Sequence, residues 1–155
     1  YALAILCAGW GLVYFRTTFG LSYILWLLAV VIVTDIAGYF AGRMLGGPKF
    51  WPKISPKKTW SGTIAGWIGA ALVGVLFTAF ADVGAQIIIV SMVVSFAGQM
   101  GDIAQSAVKR RMGVKDSSDL IPGHGGLFDR FDAVLGATLL MLLYTFVTNA
   151  VGVAS

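Results

Sequence analysis

Apolar residues run in five long stretches, with charge confined almost entirely to the breaks between them: Tyr1–Phe15, Leu21–Ala41, Thr63–Ala81, Ala85–Met100 and about Val134–Val153. A bilayer core takes roughly 20 helical residues, within a range of about 17–25. The second, third and fifth stretches have the length of membrane-spanning helices. The first is short, and the fourth is marginal unless it runs on to Gly101 and beyond. Stretches of this length point to helical spans rather than to the shorter strands of a membrane barrel. Glycines recur inside them, as at Gly62, Gly66, Gly69 and Gly74, and small residues let membrane helices pack closely. The expected fold is all-α: a polytopic membrane bundle of about five helices, forming one membrane-embedded domain over residues 1–155.

The breaks set an orientation. Arg43, Lys49, Lys53, Lys57 and Lys58 lie between the second and third stretches, and Lys109, Arg110, Arg111, Lys115 and Arg130 between the fourth and fifth. Ten of the eleven basic residues therefore fall on one side, with Arg16 and Asp82 on the other. Positive residues accumulate in cytoplasmic loops, so both loops are expected in the cytoplasm and Ser155 outside it.

Composition supports this class. Charged residues make up 12% of the chain and mean hydropathy is +0.86, whereas about a quarter of a soluble domain is charged. The pI near 9.4 is read as basic loops facing an anionic lipid surface, not as a nucleic-acid interface. Cys7 is the single cysteine, which excludes an intramolecular disulfide or a cysteine metal site. The chain opens on Tyr1 in mid-hydrophobic sequence without a signal-peptide pattern. It is expected to be the C-terminal part of a longer protein.

Against this apolar background, residues 106–132 gather five of the eleven basic residues, four of the seven aspartates and the sole histidine. Such density implies a polar partner, and a polyphosphate with its metal ions fits. Asp102, Ser106 and Lys109 follow an i, i+4, i+7 spacing on one helical face, with Arg110 beside it. Asp129 and Asp132 share a face at the start of the last helix. One acid there has a simple explanation, complementing the helix dipole for about 0.3–1 kcal/mol. Three aspartates near two helix ends would also suit Mg²⁺, a hard ion that takes carboxylate, water and phosphate oxygens.

Between these acids lie Lys115, Asp116, Pro122, His124, Gly125 and Gly126. Glycine pairs permit backbone conformations that turn N–H groups toward an anion, although many such runs are ordinary turns. His124 is either a structural loop histidine or a donor to phosphate oxygen. The other basic loop holds Ser55, Lys57, Lys58 and Thr59, flanked by Trp51 and Trp60. Its lysines either meet lipid headgroups or, with Ser55 and Thr59, donate to a bound phosphate. Asp35, Tyr39 and Arg43 share one face of the second stretch, as a structural ion pair or as the wall of a water-filled cavity. The P-loop, dinucleotide-fold and H-E-x-x-H zinc motifs are absent from the sequence.

The segment from Ser106 through Lys109-Arg110, Lys115-Asp116, Ser118, Ile121-Pro122, His124-Gly125-Gly126-Leu127, Asp129-Arg130 and Asp132 resembles the signature of the phosphatidate cytidylyltransferase family along its whole length. Upstream, Asp35 to Arg43 is similar to the family's Asp-x-x-Ala-Tyr-x-x-Gly region, with Gly38 in place of the usual alanine. Ser55-Pro56-Lys57-Lys58-Thr59 resembles its lysine loop, with Ser61 in place of a glutamate. The resemblance covers roughly Leu25 to Ala150; the family's N-terminal helices have no counterpart in this sequence.

That resemblance implies transfer of CMP from CTP to phosphatidic acid, giving CDP-diacylglycerol and pyrophosphate in phospholipid biosynthesis. It implies Mg²⁺ as cofactor, with room for a second cation, held by Asp102, Asp129 and Asp132. Lys109 and Arg110 join these aspartates as catalytic residues. Ser106, Lys115, Asp116, His124, Gly125, Gly126 and Arg130 are expected to bind CTP or pyrophosphate, and Ser55, Lys57, Lys58 and Thr59 the lipid phosphate. Asp35, Tyr39 and Arg43 are expected to support the site. The implied partners are CTP, phosphatidic acid, the bilayer and a second copy of the chain as a homodimer, with no nucleic acid. The implied location is a bacterial inner membrane.

Two alternatives remain at this point. A CTP-dependent polyprenol or dolichol-type lipid kinase would transfer the γ-phosphoryl group instead. A non-enzymatic transporter would spread its charges along a transmembrane path.

Overall fold

The computed structural model describes residues 2–81, 83–111 and 132–151. Its helices are α1 (Ala2–Phe19), α2 (Leu21–Met44), α3 (Trp60–Ala81), α4 (Gln86–Arg111) and α5 (Asp132–Val151). Strands β1 (Lys49–Trp51) and β2 (Ser55–Thr59) form an antiparallel hairpin between α2 and α3. Among the described residues, three helices are long and apolar enough to cross a membrane: α2, α3 and the Gln86–Val108 part of α4. The apolar runs of α1 and α5, Leu3–Phe19 and Ala133–Thr148, are shorter. The chain is a helical membrane protein.

Consecutive helices run antiparallel. Gly38 of α2 faces Gly62 of α3, while Gly66 of α3 sits against both Thr34 of α2 and Gln99 of α4. Further along, Gly74 meets Ile88 and Ser91. A methyl group on Gly62 would lie 2.6 Å from the Gly38 carbonyl oxygen, and one on Gly74 would lie 2.7 Å from Ile88 Cα. The glycines noted in the sequence thus let α3 lie backbone to backbone with both neighbours. Helix α5 closes the bundle against α4, with Gly136 on Gly101 and Ala133 on Gly98, and α1 packs on α5 through Gly11.

The core joins Phe15, Trp26, Leu27, Val30, Val94, Ala137 and Met141, from α1, α2, α4 and α5. Apolar side chains such as Leu72, Leu76 and Phe80 point outward. In a soluble protein these would be a liability; here they are the surface that meets lipid tails. Two polar contacts inside the bundle join helices. Trp26 Nε1 donates to Ser91 Oγ at 3.0 Å, and Thr34 Oγ1 donates to Ser95 Oγ at 2.8 Å.

The loop between α2 and α3 adds a short hairpin to the helical bundle. Extended pairing suits this stretch because Phe50, Trp51 and Thr59 favour strands and Pro52 turns the chain. Helix α4 runs past Gly101 to Arg111, so Asp102, Ser106 and Lys109 belong to one helix, as their spacing predicts. The drop in hydropathy after Met100 marks a change of surroundings, and no proline or glycine follows Asp102 to stop the helix before Gly113. Asp102 therefore stands about 13 Å inside the end of α4.

Candidate functional site

The hairpin is fastened to α3 by the N-cap of that helix. Thr59 Oγ1 accepts the Gly62 backbone N–H at 3.2 Å and Thr63 Oγ1 donates to the Thr59 carbonyl at 3.1 Å. Ser61 Oγ donates to the Gly46 carbonyl and lies 3.0 Å from Thr59 Oγ1. With the Ser61 proton engaged by Gly46, the Thr59 hydroxyl is the donor between the two. A directed relay results, from the Gly62 amide through Thr59 and Ser61 to Gly46. Gly46 and Gly47 have φ of 60° and 103°, a left-handed path that glycine follows without strain. This turns the chain from the end of α2 into β1.

The relay corrects one expectation. Thr59 is 5% exposed, and its hydroxyl is already an N-cap acceptor and a donor to Ser61. Its side chain builds the hairpin–helix junction and leaves no proton for a phosphate.

With its backbone fixed at this junction, Lys58 extends toward α4. Its Nζ lies 2.6 Å from Asp102 Oδ2 and donates to the Gln99 carbonyl oxygen at 3.2 Å. The two charged side chains are 25% and 39% exposed, so the pair is partly sheltered but reachable. Asp35 lies within electrostatic reach of both. Arg43 donates to the Tyr39 hydroxyl at 2.9 Å one turn away on α2.

A cavity of about 420 Å³ opens beside this cluster. Asp35, Tyr39 and Arg43 line it from α2, Lys58 and Thr59 from the hairpin, Thr63 from α3 and Gln99 from α4. Gly38, Gly42 and Gly62 complete its wall. The face of α2 expected from its i, i+4, i+8 spacing thus meets the lysine loop around one space, with Asp102 tied to that loop.

Of the remaining expected residues, Ser55 opens β2 opposite Trp51, Ser106 is half-buried on α4, and Arg110 is exposed in its last turn. Lys57 and Lys109 belong to β2 and α4, and their side chains lie outside the described structure. Asp132 begins α5, whose next residue, Ala133, packs on Gly98, one turn before Asp102. Lys115, Asp116, His124, Gly125, Gly126, Asp129 and Arg130 lie outside the described residues. Helix α5 begins close to the cavity, with Ala133 on Gly98 beside the lining residue Gln99.

Gln99, Thr34 and Thr63 were not anticipated. The signal was present in α4, where Ser91, Ser95, Gln99, Asp102 and Ser106 recur every three or four residues. That polar face begins well before the aspartate, within the apolar run.

Among the described residues, no three His, Cys, Asp or Glu side chains cluster tightly enough to hold a metal ion. The donor chemistry suits a hard cation nonetheless. Asp35 offers a carboxylate and Thr34, Thr63 and Gln99 offer hydroxyl and amide oxygens to the cavity, and Asp102 stands behind Lys58 at its edge.

The family model described as "Cytidylyltransferase family" matches residues 1–148. The phosphatidate cytidylyltransferase of Brucella suis biovar 1 is 47% identical over 128 residues, covering 81% of this chain and 47% of the relative. That of Staphylococcus haemolyticus is 41% identical over 138 residues, covering 86% of this chain and 53% of the relative. The chain therefore spans about half the length of the curated relatives it matches.

Proposed function

The chain belongs to the cytidylyltransferase family, and from that premise we propose that the protein containing it is a phosphatidate cytidylyltransferase. A phosphate oxygen of phosphatidic acid attacks the α-phosphorus of CTP. The bond from that phosphorus to the β-phosphate oxygen breaks, and CDP-diacylglycerol and pyrophosphate form. The observation that carries this reading is the cavity that Asp35 and Lys58 line together, with Lys58 tied to Asp102 at 2.6 Å. The start of α5 packs beside it, with Ala133 on Gly98.

The chemistry asks for charge management more than for a base. The attacking phosphate monoester is already ionised near neutral pH, so no side chain has to remove a proton. Two anions have to be held together while negative charge grows on the departing pyrophosphate. Lys58 supplies a positive charge at the cavity wall, and Lys109, Arg110, Lys115, His124 and Arg130 supply others along the nucleotide. Asp102, Asp129 and Asp132 would hold Mg²⁺, which when bound supplies Lewis-acid neutralisation of phosphate charge. Asp35 lines the cavity beside Lys58, and Arg43 donates to the Tyr39 hydroxyl there. Lys57 and Lys58 would bind the lipid phosphate. The orientation with both basic loops in the cytoplasm, where CTP is found, rests on the positive-inside distribution. Placement in a bacterial inner membrane and homodimer assembly rest on the family resemblance.

The deciding experiment supplies the full-length protein in lipid nanodiscs with phosphatidic acid and labelled CTP, with and without Mg²⁺. CDP-diacylglycerol and pyrophosphate are the expected products, and only with Mg²⁺. Release of CDP with a phosphorylated lipid would establish a lipid kinase instead. Absence of CTP turnover by folded protein would return the reading to a transporter.

A further inference from the structure

Lys58 occupies a position that suits a cation of another kind. Its ammonium contacts Asp102 Oδ2 at 2.6 Å and the Gln99 carbonyl oxygen at 3.2 Å, with Asp35 in electrostatic reach. The side chain is a point charge on a flexible four-carbon stem, whereas its backbone is anchored by the Thr59 cap and the Ser61–Gly46 contact. Lys58 lines the cavity, so its ammonium can turn from the carboxylate into that space without moving the hairpin. Asp102 is 39% exposed and can be approached by an ion from outside. An ammonium at this distance takes up part of the Asp102 carboxylate's acceptor capacity and repels an incoming cation, so the two compete for the same charge.

We propose that Lys58 is an exchangeable internal counter-ion, which neutralises Asp102 in the cation-free protein and swings into the cavity when a divalent cation binds there. The inference rests on the reading of Asp102 as a cation ligand and adds a competitor to it. The exchange has two consequences. Lys58 weakens cation affinity, so the site stays unfilled at low cation concentration without leaving Asp102 uncompensated. Its charge also reaches the cavity wall in the cation-bound state, where an anionic phosphate would meet it.

Mn²⁺ binding to the full-length protein in nanodiscs, followed by electron paramagnetic resonance without nucleotide or lipid substrate, tests this. Lys58→Gln is expected to bind Mn²⁺ about fivefold or more tightly than the wild type, and Asp102→Asn to lose binding. If Asp102→Asn abolishes binding while Lys58→Gln binds no more tightly, the exchange is refuted and the cation reading survives. If Asp102→Asn retains wild-type affinity, the cation reading fails and the exchange with it. A second measurement needs no loss of charge: the Lys58 ¹⁵Nζ resonance of the wild type, identified by its disappearance in Lys58→Arg, should shift when Mg²⁺ is added. An unmoved resonance under saturating Mg²⁺ would overturn the proposal.

Discussion

Lys58 Nζ, near the end of strand β2, lies 2.6 Å from Asp102 Oδ2 in the interior of α4. The contact spans two elements far apart in sequence and brings the lysine loop to the helix that leads into the family signature. Asp102 stands within a continuous helix, reached from the side by a hairpin.

The strength of that tie can be measured without substrate. Both side chains are partly in contact with solvent, so the coupling should resemble that of a surface pair, up to about 1 kcal/mol. A double-mutant cycle of Lys58→Met, Asp102→Asn and the double variant, read by denaturant unfolding without divalent cations, should give a favourable coupling in that range. A coupling indistinguishable from zero would mean that the pair contributes nothing to the cation-free fold.

The approach of α2 to α3 makes a second expectation. A methyl group at Gly62 would meet the Gly38 carbonyl oxygen at 2.6 Å, and a backbone atom cannot rotate out of the way. At Gly38 the same test gives 3.3 Å to the Gly62 carbonyl, a tight contact that small adjustments can absorb. Gly62→Ala should therefore destabilise the protein by about 1–3 kcal/mol, and Gly38→Ala by clearly less. Equal thermal stability of the two variants would contradict this packing. The asymmetry also bears on the family pattern, in which alanine is usual at position 38.

Much of this arrangement was legible in the sequence because hydropathy and spacing act locally. The five apolar runs located the helices, and the i, i+4, i+8 spacing placed Asp35, Tyr39 and Arg43 on one face. Other features depended on which helices meet. Nothing local to Lys58 names Asp102 as its partner, because that choice follows from α3 bringing its N-terminal hairpin against α4. Gln99 was hidden for a related reason: one amide in an apolar run becomes informative only when Ser91, Ser95, Asp102 and Ser106 are seen to share its face. Thr59 shows the reverse problem. Beside two lysines a hydroxyl suggests phosphate binding, yet the start of α3 uses it as a cap.

That conflict can be settled by separating stability from substrate affinity. Thr59→Val removes the cap acceptor and should destabilise the protein by about 1 kcal/mol, while Thr59→Ser should retain most of that contribution. If capping is its role, the folded Thr59→Val enzyme will keep a near-normal KM for phosphatidic acid. A large rise in KM without loss of stability would restore the phosphate-donor role.

The aspartates at the start of α5 offer the sharpest separation between structure and chemistry. Asp132 opens the helix, and Asp129 lies just upstream, outside the described residues. If their role were only to complement the helix dipole, replacing either with asparagine would change stability by about 0.3–1 kcal/mol and leave turnover nearly intact. Asparagine keeps the shape and one hydrogen-bond acceptor but removes the anionic oxygen that Mg²⁺ requires. Loss of groups that merely orient a metal ligand commonly lowers activity or affinity 10–100-fold, so loss of a direct ligand should cost at least about 100-fold. In the full-length enzyme, Asp129→Asn should therefore abolish CDP-diacylglycerol formation while its unfolding midpoint stays close to that of the wild type. Full activity in the folded variant would remove Asp129 from the metal site and leave the dipole as its explanation.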